Sequence, residues 1–443
     1  MKPTGLLVAV AILAVLGGAI WFSNKKQAQK EKAPADASPK IVSIAEAQFR
    51  EIRLQKAGAE PVVLHLDKGK WALTAPQPLP ADPEAASSLV SALSSVSGDK
   101  TIEENATDLA PYGLASPALK AQVIETDGKQ VELAIGDDTP TNSGVYAKVS
   151  GNPRVYMVAS YVKTSLDKTV NDLRDRRLLN FNPERLTRVK LAAKGPEPAI
   201  EFGRNGGNEW EIVEPRPLRA DAGQLETLLG KLRDTKMDLG TSPDEAAGKF
   251  TAAATVGLAQ VTGVDGSQTL EIRKGKDNNY YARSSQVAGV YKIASDAGEA
   301  LNKGLDDFRN KKLFDFGFAD PSRLEIKNGA GAPVTYIRTT EKWTMGPKAA
   351  DNASVQNLID KLRDLTATKF LEKGGGEPVF EASVTSKGSA KVEHVIVSKQ
   401  GAKYSAQREG ETSIYELDAQ AVSDLEKAAS DVKEAVPATP KKK

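Results

Sequence analysis

Hydrophobic and polar residues alternate along most of this chain in short runs, and the runs recur. Phe49, Ile52 and Leu54 with Val62, Leu64 and Leu66 form one set, Val189, Leu191, Ile200 and Phe202 a second, and Leu324, Ile326, Val334 and Ile337 a third. Each set predicts paired, half-buried strands. After each comes a tryptophan-to-proline stretch: Trp71-Ala-Leu-Thr-Ala-Pro76, Trp210-Glu-Ile-Val-Glu-Pro215 and Trp343-Thr-Met-Gly-Pro347. This reads as a third strand, closed by a residue that cannot donate to a ladder.

An Ala-Asp pair then opens a helical pattern. Leu89 and Leu93, Leu228 and Leu232, and Leu358 and Leu362 each fall four residues apart, on one helix face. Asp82, Asp221 and Asp351 stand where an N-cap carboxylate accepts the orphan N–H groups of the first turn, with Pro83 at the first helical position and Gln224 placed for a capping box. Further strand pairs follow, including Ala121 to Glu125 and Gln130 to Ile135. Tyr146-Ala147 answers to Tyr281-Ala282 and more loosely to Tyr404-Ser405, and Tyr156, Tyr291 and Tyr415 mark the next strand. A closing helix is expected to carry Leu173-Arg174-Asp175-Arg176-Arg177-Leu178 and, 135 residues on, Phe308-Arg309-Asn310-Lys311-Lys312-Leu313. The third copy ends in a helix of about 418–434 without the basic run.

A period of this size is that of a domain, since solenoid repeats run to roughly 20 to 50 residues. The fold class expected is α+β: an N-terminal transmembrane helix, then three tandem β-rich repeats, each of about seven short strands and two helices. The corresponding boundaries are an anchor at 1–22, a tether at 23–40, repeats at 41–180, 181–313 and 314–435, and a disordered tail at 436–443.

The anchor rests on Gly5 to Phe22, eighteen uncharged residues that as a helix would rise ~27 Å and just span a hydrocarbon core. Trp21 and Phe22 resemble an interfacial belt, and Lys25 and Lys26 follow at once. A cleavable signal peptide is the competing reading, with Gly17-Gly18-Ala19 a poor cleavage site. Charge counting alone would leave the body in the cytoplasm. A large domain behind one N-terminal segment is exported largely regardless of flanking charge, so an inner-membrane, single-pass protein with a periplasmic body is expected.

Sixty basic and fifty-eight acidic residues leave a net charge of +2, which gives no argument for a nucleic-acid partner. The absence of cysteine excludes disulfides, thiolate metal sites and a cysteine nucleophile. His65 and His394 lie in different repeats, and no Gly-x-Ser-x-Gly elbow accompanies either. Lys373-Gly374-Gly375-Gly376 lacks the Lys-Ser/Thr ending of a phosphate loop and reads as a plain loop. No catalytic, cofactor or metal residues are therefore assigned. Trp71, Trp210 and Trp343 could serve as stacking platforms for sugars, but their place between core strands and a core-facing helix favours burial. Arg174, Arg176, Arg177, Arg309, Lys311 and Lys312 are candidate partner contacts, against a simpler role in offsetting a helix dipole.

The anchor, the Trp-to-Pro strand, the Ala-Asp helix start, the turn Pro111-Tyr112-Gly113-Leu114-x-x-Pro117, the Tyr-Ala-Lys strand and Leu-Arg-Asp-Arg-Arg-Leu-Leu together resemble an uncharacterised bacterial family catalogued as domain of unknown function 4340. The likeness runs over about 41–313, and the third repeat is more divergent. It implies a single-pass accessory protein, of a kind encoded beside ABC-type exporter permeases and gliding-motility components, and it carries no catalytic residues to transfer. The expectation is a non-enzymatic, membrane-anchored accessory or scaffold protein of unknown oligomeric state beside an ABC-type transport complex. The rival readings are an envelope glycan- or lipid-binding module and, behind it, a carboxylate-dependent hydrolase, which would need two acids about 5 to 9.5 Å apart in one cleft.

Overall fold

A computed structural model describes residues 39–192, 197–318, 321–340, 342–386 and 391–435. The expected anchor at 5–22, almost all of the tether and the tail at 436–443 lie outside these residues, while Lys40, the tether's last residue, begins a strand. Among the described residues no helix is long and apolar enough to cross a membrane. The α+β expectation is overturned: the structure is 43% strand against 23% helix, a mostly β fold. The chain divides into two compact units, one ending at Arg176 and the other starting at Arg177 and holding two of the three repeats.

Each repeat is built on one sheet made of two four-stranded meanders. In the first repeat Leu79–Pro80, Lys70–Ala75, Val62–Asp67 and Phe49–Lys56 form one meander. Leu119–Glu125, Gln130–Asp138, Val145–Val149 and Val155–Val158 form the other, with Lys100–Glu103 as a ninth strand at its edge. Phe49–Lys56 pairs antiparallel with Leu119–Glu125 and joins the halves. The second repeat has eight strands in the same order, joined by Leu186–Leu191 against Ala254–Gly263, and the third has nine, joined by Arg323–Asn328 against Glu377–Ser386. The expected count of seven fell short by a two-residue strand in each repeat, Leu79–Pro80, Leu218–Arg219 and Lys348–Ala349, too short to show alternation, and by the short edge strand Lys100–Glu103 or Lys369–Leu371 in the first and third.

The helix that follows the Ala-Asp pair is the main helix of each repeat: Pro83–Ser94, Ala222–Arg233 and Asn352–Asp364. The six repeated leucines on these helices are each no more than 1% exposed and sit in three separate cores. At ~25 cal/mol per Å² such side chains contribute on the order of 2 kcal/mol each, and they fix which helix face turns inward. Asp82 accepts the N–H groups of Glu84 and Ala85, Asp221 that of Gln224 and Asp351 that of Ser354. The capping box expected of Gln224 does not form. Asp221 gives its own N–H to the Phe308 carbonyl, and the Gln224 side chain takes a hydrogen bond from Lys303.

That N–H recurs in the other repeats. The amides of Asp82, Asp221 and Asp351 donate to the carbonyls of Leu173, Phe308 and Lys433, and the residue before each, Ala81, Ala220 or Ala350, bridges to Arg174, Arg309 or Glu434. The Ala-Asp pair thus clasps the end of its own repeat while capping its helix. This corrects the expected closing helices. Val170–Leu173 and Leu305–Phe308 are single helical turns, and Arg174 and Arg309 follow with extended backbone, because only an extended chain can reach the clasp. The partner packed on the main helix is instead Ser160–Leu166, Ser295–Leu301 or, in the third repeat, Ala419–Ser430.

The second repeat adds a helix that was not foreseen, Pro243–Ala252, started by Ser242, whose hydroxyl accepts the Glu245 N–H. Tyr280 and Ala282 face the main core, so Tyr281 faces the other side of the sheet, where it joins Ala246, Phe250 and Val290 in a small second core. The Tyr281 hydroxyl donates to Asp277 at 2.8 Å. That bond, with Asn279 assisting, depresses the Asp277 carboxyl to about 2, and burial with the same contact pushes Tyr281 up to about 12.

Two outcomes are expected. Asp351→Ala should lower stability by about 1 kcal/mol in thermal unfolding, and Asp351→Asn should retain most of it, since Asn caps nearly as well. Because the Asp277 carboxyl is depressed on folding, its contribution is present above 3.8 and is lost as pH falls toward about 2. Tyr281→Phe should therefore separate from the wild type in denaturant melts above that window and converge with it below; parallel curves at every pH would refute the link.

Candidate functional site

Within the second compact unit the chain passes from the second repeat to the third through Arg309 to Phe316, and its backbone is held at once. Leu313 donates to the Leu365 carbonyl at 3.0 Å and Ala367 to that of Lys311 at 2.9 Å, so the linker pairs with the segment following the next helix. Leu178 enters the second repeat in the same manner, donating to Thr235. In the first repeat, Val42 of Lys40–Ser43 pairs with Val96 at the matching place.

Arg219 is the centre of the side-chain contacts at this junction. Its guanidinium donates to Asp315 at 2.8 Å, to the Lys312 carbonyl at 2.5 Å and to the Tyr415 hydroxyl at 3.1 Å. Its Nε lies 2.8 Å from Glu411 as an ion pair, though out of line for a hydrogen bond. Glu411 is also held by Arg408 at 2.7 Å and by the Tyr415 hydroxyl at 2.6 Å. Arg408 in turn pairs with the buried Glu393 at 3.0 Å and donates to the Leu313 carbonyl. Burial alone would raise the Asp315 carboxyl, but the Arg219 charge, Asn310 and Lys391 outweigh it and hold it below the usual range. Arg219 is disfavoured by burial and favoured more strongly by Tyr415, Glu411 and Asp315, so its charge is held firmly. With both terminal nitrogens donating internally and Nε in an ion pair, the guanidinium is a lock between two repeats.

Beside the lock opens a cleft of about 920 Å³, lined by Arg204, Trp210, Arg216, Glu226, Lys391 and Thr412 among others. Trp210 is nearly buried, with the Arg204 guanidinium 3.9 Å from its ring centre, so its face is already occupied by a cation.

The six basic candidates have different surroundings. Arg309 is 7% exposed, bound to Asp306 and Ser413, with its guanidinium 3.3 Å from the Phe370 ring centre. Arg174 is half-buried with its backbone in the clasp to Ala81, and Arg176 is exposed. Arg177 bridges to Lys236, Lys312 bridges to Thr366, and Lys311 accepts from Ala367 through its carbonyl. Trp343 is buried and Trp71 half-buried, each against its repeat's core. His394 lies between Glu381 at 3.0 Å and Glu409 at 3.2 Å, and His65 beside Glu51 at 3.4 Å. Among the described residues no group of three or more such side chains is arranged to hold a metal ion.

The lock escaped the sequence reading, although a signal was present. Arg219 stands just before the Ala-Asp pair, where the other repeats have Pro80 and Ala349. A family model described as a domain of unknown function (DUF4340) matches the chain twice, over residues 71–209 and 210–379. No curated protein and no solved structure matches the chain.

Arg219→Ala strips Asp315 and Glu411 of a partly buried partner and should destabilise the second compact unit by about 3 kcal/mol. Calorimetry should show that loss while melting of the first unit is unchanged, and Arg219→Lys, a point charge without the planar fork, should recover only part of it.

Proposed function

We propose that this chain, which belongs to the DUF4340 family, is a non-enzymatic accessory or scaffold protein beside an ABC-type transport complex. In this reading the apolar residues 5–22 hold it at the inner membrane and the repeats stand on the periplasmic side. The observation that carries the proposal is the employment of the repeated residues. The aspartates cap helices, the alanines clasp repeat ends, and Trp210 and Trp343 are buried in cores, so what the three copies share is scaffold. Held at a membrane, such an array raises the effective concentration of whatever its surfaces bind.

The cleft of about 920 Å³ favours a second reading, a module binding an envelope glycan or lipid, in which Arg216, Glu226 and Thr412 would supply the polar contacts. Crosslinking and affinity recovery of the full chain from membranes separates the two. Transporter subunits are expected among the recovered proteins, and their absence from repeated recoveries would overturn the scaffold proposal. Protease treatment of spheroplasts is expected to digest the body; a protected body would refute the periplasmic placement.

A further inference from the structure

Between its main helix and its second meander each repeat carries a segment of its own, and in two repeats this segment covers the sheet face opposite the main helix. In the first, Tyr112 lies edge-on to Tyr146 with ring centres 5.0 Å apart. In the second, Phe250 packs with Tyr281, and the guanidinium groups of Arg273 and Arg283 lie 4.4 and 5.4 Å from its ring centre. Strand register shows that the two covered tyrosines are one position. Ala147 pairs with Tyr156, Ala282 with Tyr291 and Ala406 with Tyr415, so the residue preceding each alanine is Tyr146, Tyr281 and Ser405.

The third repeat therefore departs twice at one place: the tyrosine is a serine, and the covering segment has shrunk to Lys373-Gly374-Gly375-Gly376. Gly376 sits at φ +106°, where a Cβ would come within 2.2 Å of the Lys399 carbonyl oxygen, so only glycine lets the loop lie so close to the hairpin. What remains is a cavity of about 200 Å³ lined by Lys373, Gly375, Gln400, Lys403, Ser405 and Glu416 among others. Glu416 is paired with Lys369 at 3.4 Å. Lys373 and Lys403 are exposed at the rim with no ion-pair partner among the described residues.

We propose that this open position is a docking site for an aromatic side chain carried on an acidic, extended segment of a partner protein. The first two repeats fill the place with an aromatic ring of their own, whereas the third has there only the Ser405 hydroxyl, which donates to the Gly375 carbonyl at 3.4 Å, beside a cavity lined by two unpaired cations. The ring would enter over Ser405, and flanking carboxylates would meet Lys373 and Lys403. This names a partner surface for the scaffold reading, yet it is tested on the purified chain, so failure to recover a transporter would leave it standing.

The test is fluorescence anisotropy with the detergent-solubilised full chain and a fluorescein-labelled peptide, Gly-Glu-Asp-Phe-Glu-Asp-Gly. Saturable binding is expected, with a loss of about tenfold or more when alanine replaces the phenylalanine. Ser405→Tyr, which restores the residue of the other two repeats, should weaken binding by a similar factor, as should the double variant Lys373→Glu, Lys403→Glu. Absence of binding would overturn the proposal. So would equal binding of the alanine peptide, which would mark a merely ionic contact, or unchanged binding to both variants. Circular dichroism checks folding, and if Ser405→Tyr does not fold, the exposed lysine pair decides.

Discussion

Each repeat of this protein must bring the end of its chain back to the start of its main helix, and it does so with a pair of backbone hydrogen bonds beside one side-chain cap. The amide of Asp82, Asp221 or Asp351 holds the carbonyl that ends the repeat, while the carboxylate of the same residue holds the first turn of the main helix. Sheet, helix and exit are thereby fixed relative to one another at a single residue. An aspartate suits both tasks because the cap needs only its oxygen and leaves its N–H, which precedes the helix, available for the clasp. The preceding alanine is small enough to be buried where the returning strand crosses it: Ala81, Ala220 and Ala350 all lie inside.

The features legible in the sequence were those whose physics is local. The aspartate caps, though not the Gln224 capping box, the four-residue leucine spacing and the Trp strands were read correctly because each is decided within a turn or a strand. The basic runs were misread for the opposite reason. Leu-Arg-Asp-Arg-Arg has good helix-forming residues, yet pairing of Arg174 with Ala81, about a hundred positions away, imposes an extended chain that propensity cannot anticipate. The Arg219 lock is less accessible still, since Tyr415 is 196 residues distant. Pro243–Ala252 carried a readable start in Ser242, Pro243 and Glu245, but Ala246 and Phe250 are its only fully buried side chains, too few to declare an amphipathic helix.

The three copies differ where their shared fold does not constrain them. The first meander, the helix and the join between meanders recur closely, whereas the segment after the helix is a turn with Tyr112, a helix with Phe250 or a glycine loop. Edge protection varies with it. A ninth strand covers the last edge in the first and third repeats, and in the second a single bridge, Asp238 to Lys292, takes that place with the added helix packed nearby. The junction follows the same rule, because Arg219, Arg408 and Glu411 occur together at only one point in the array.

The family match begins at Trp71 and restarts at Trp210, so the segment counted as one domain by sequence similarity is not the one that folds. Its border falls between Ile200–Arg204 and Trp210–Glu214, which are hydrogen-bonded neighbours in one sheet. A fragment cut there would leave Leu186–Leu191 without the Ala254–Gly263 strand that joins its meander to the rest, and would expose both as raw sheet edges. Cut instead between Arg176 and Arg177, the chain keeps Leu178 and Leu179 with the core they help to fill. For a protein of this build, the period of the sequence and the period of the fold share a length but not a starting point.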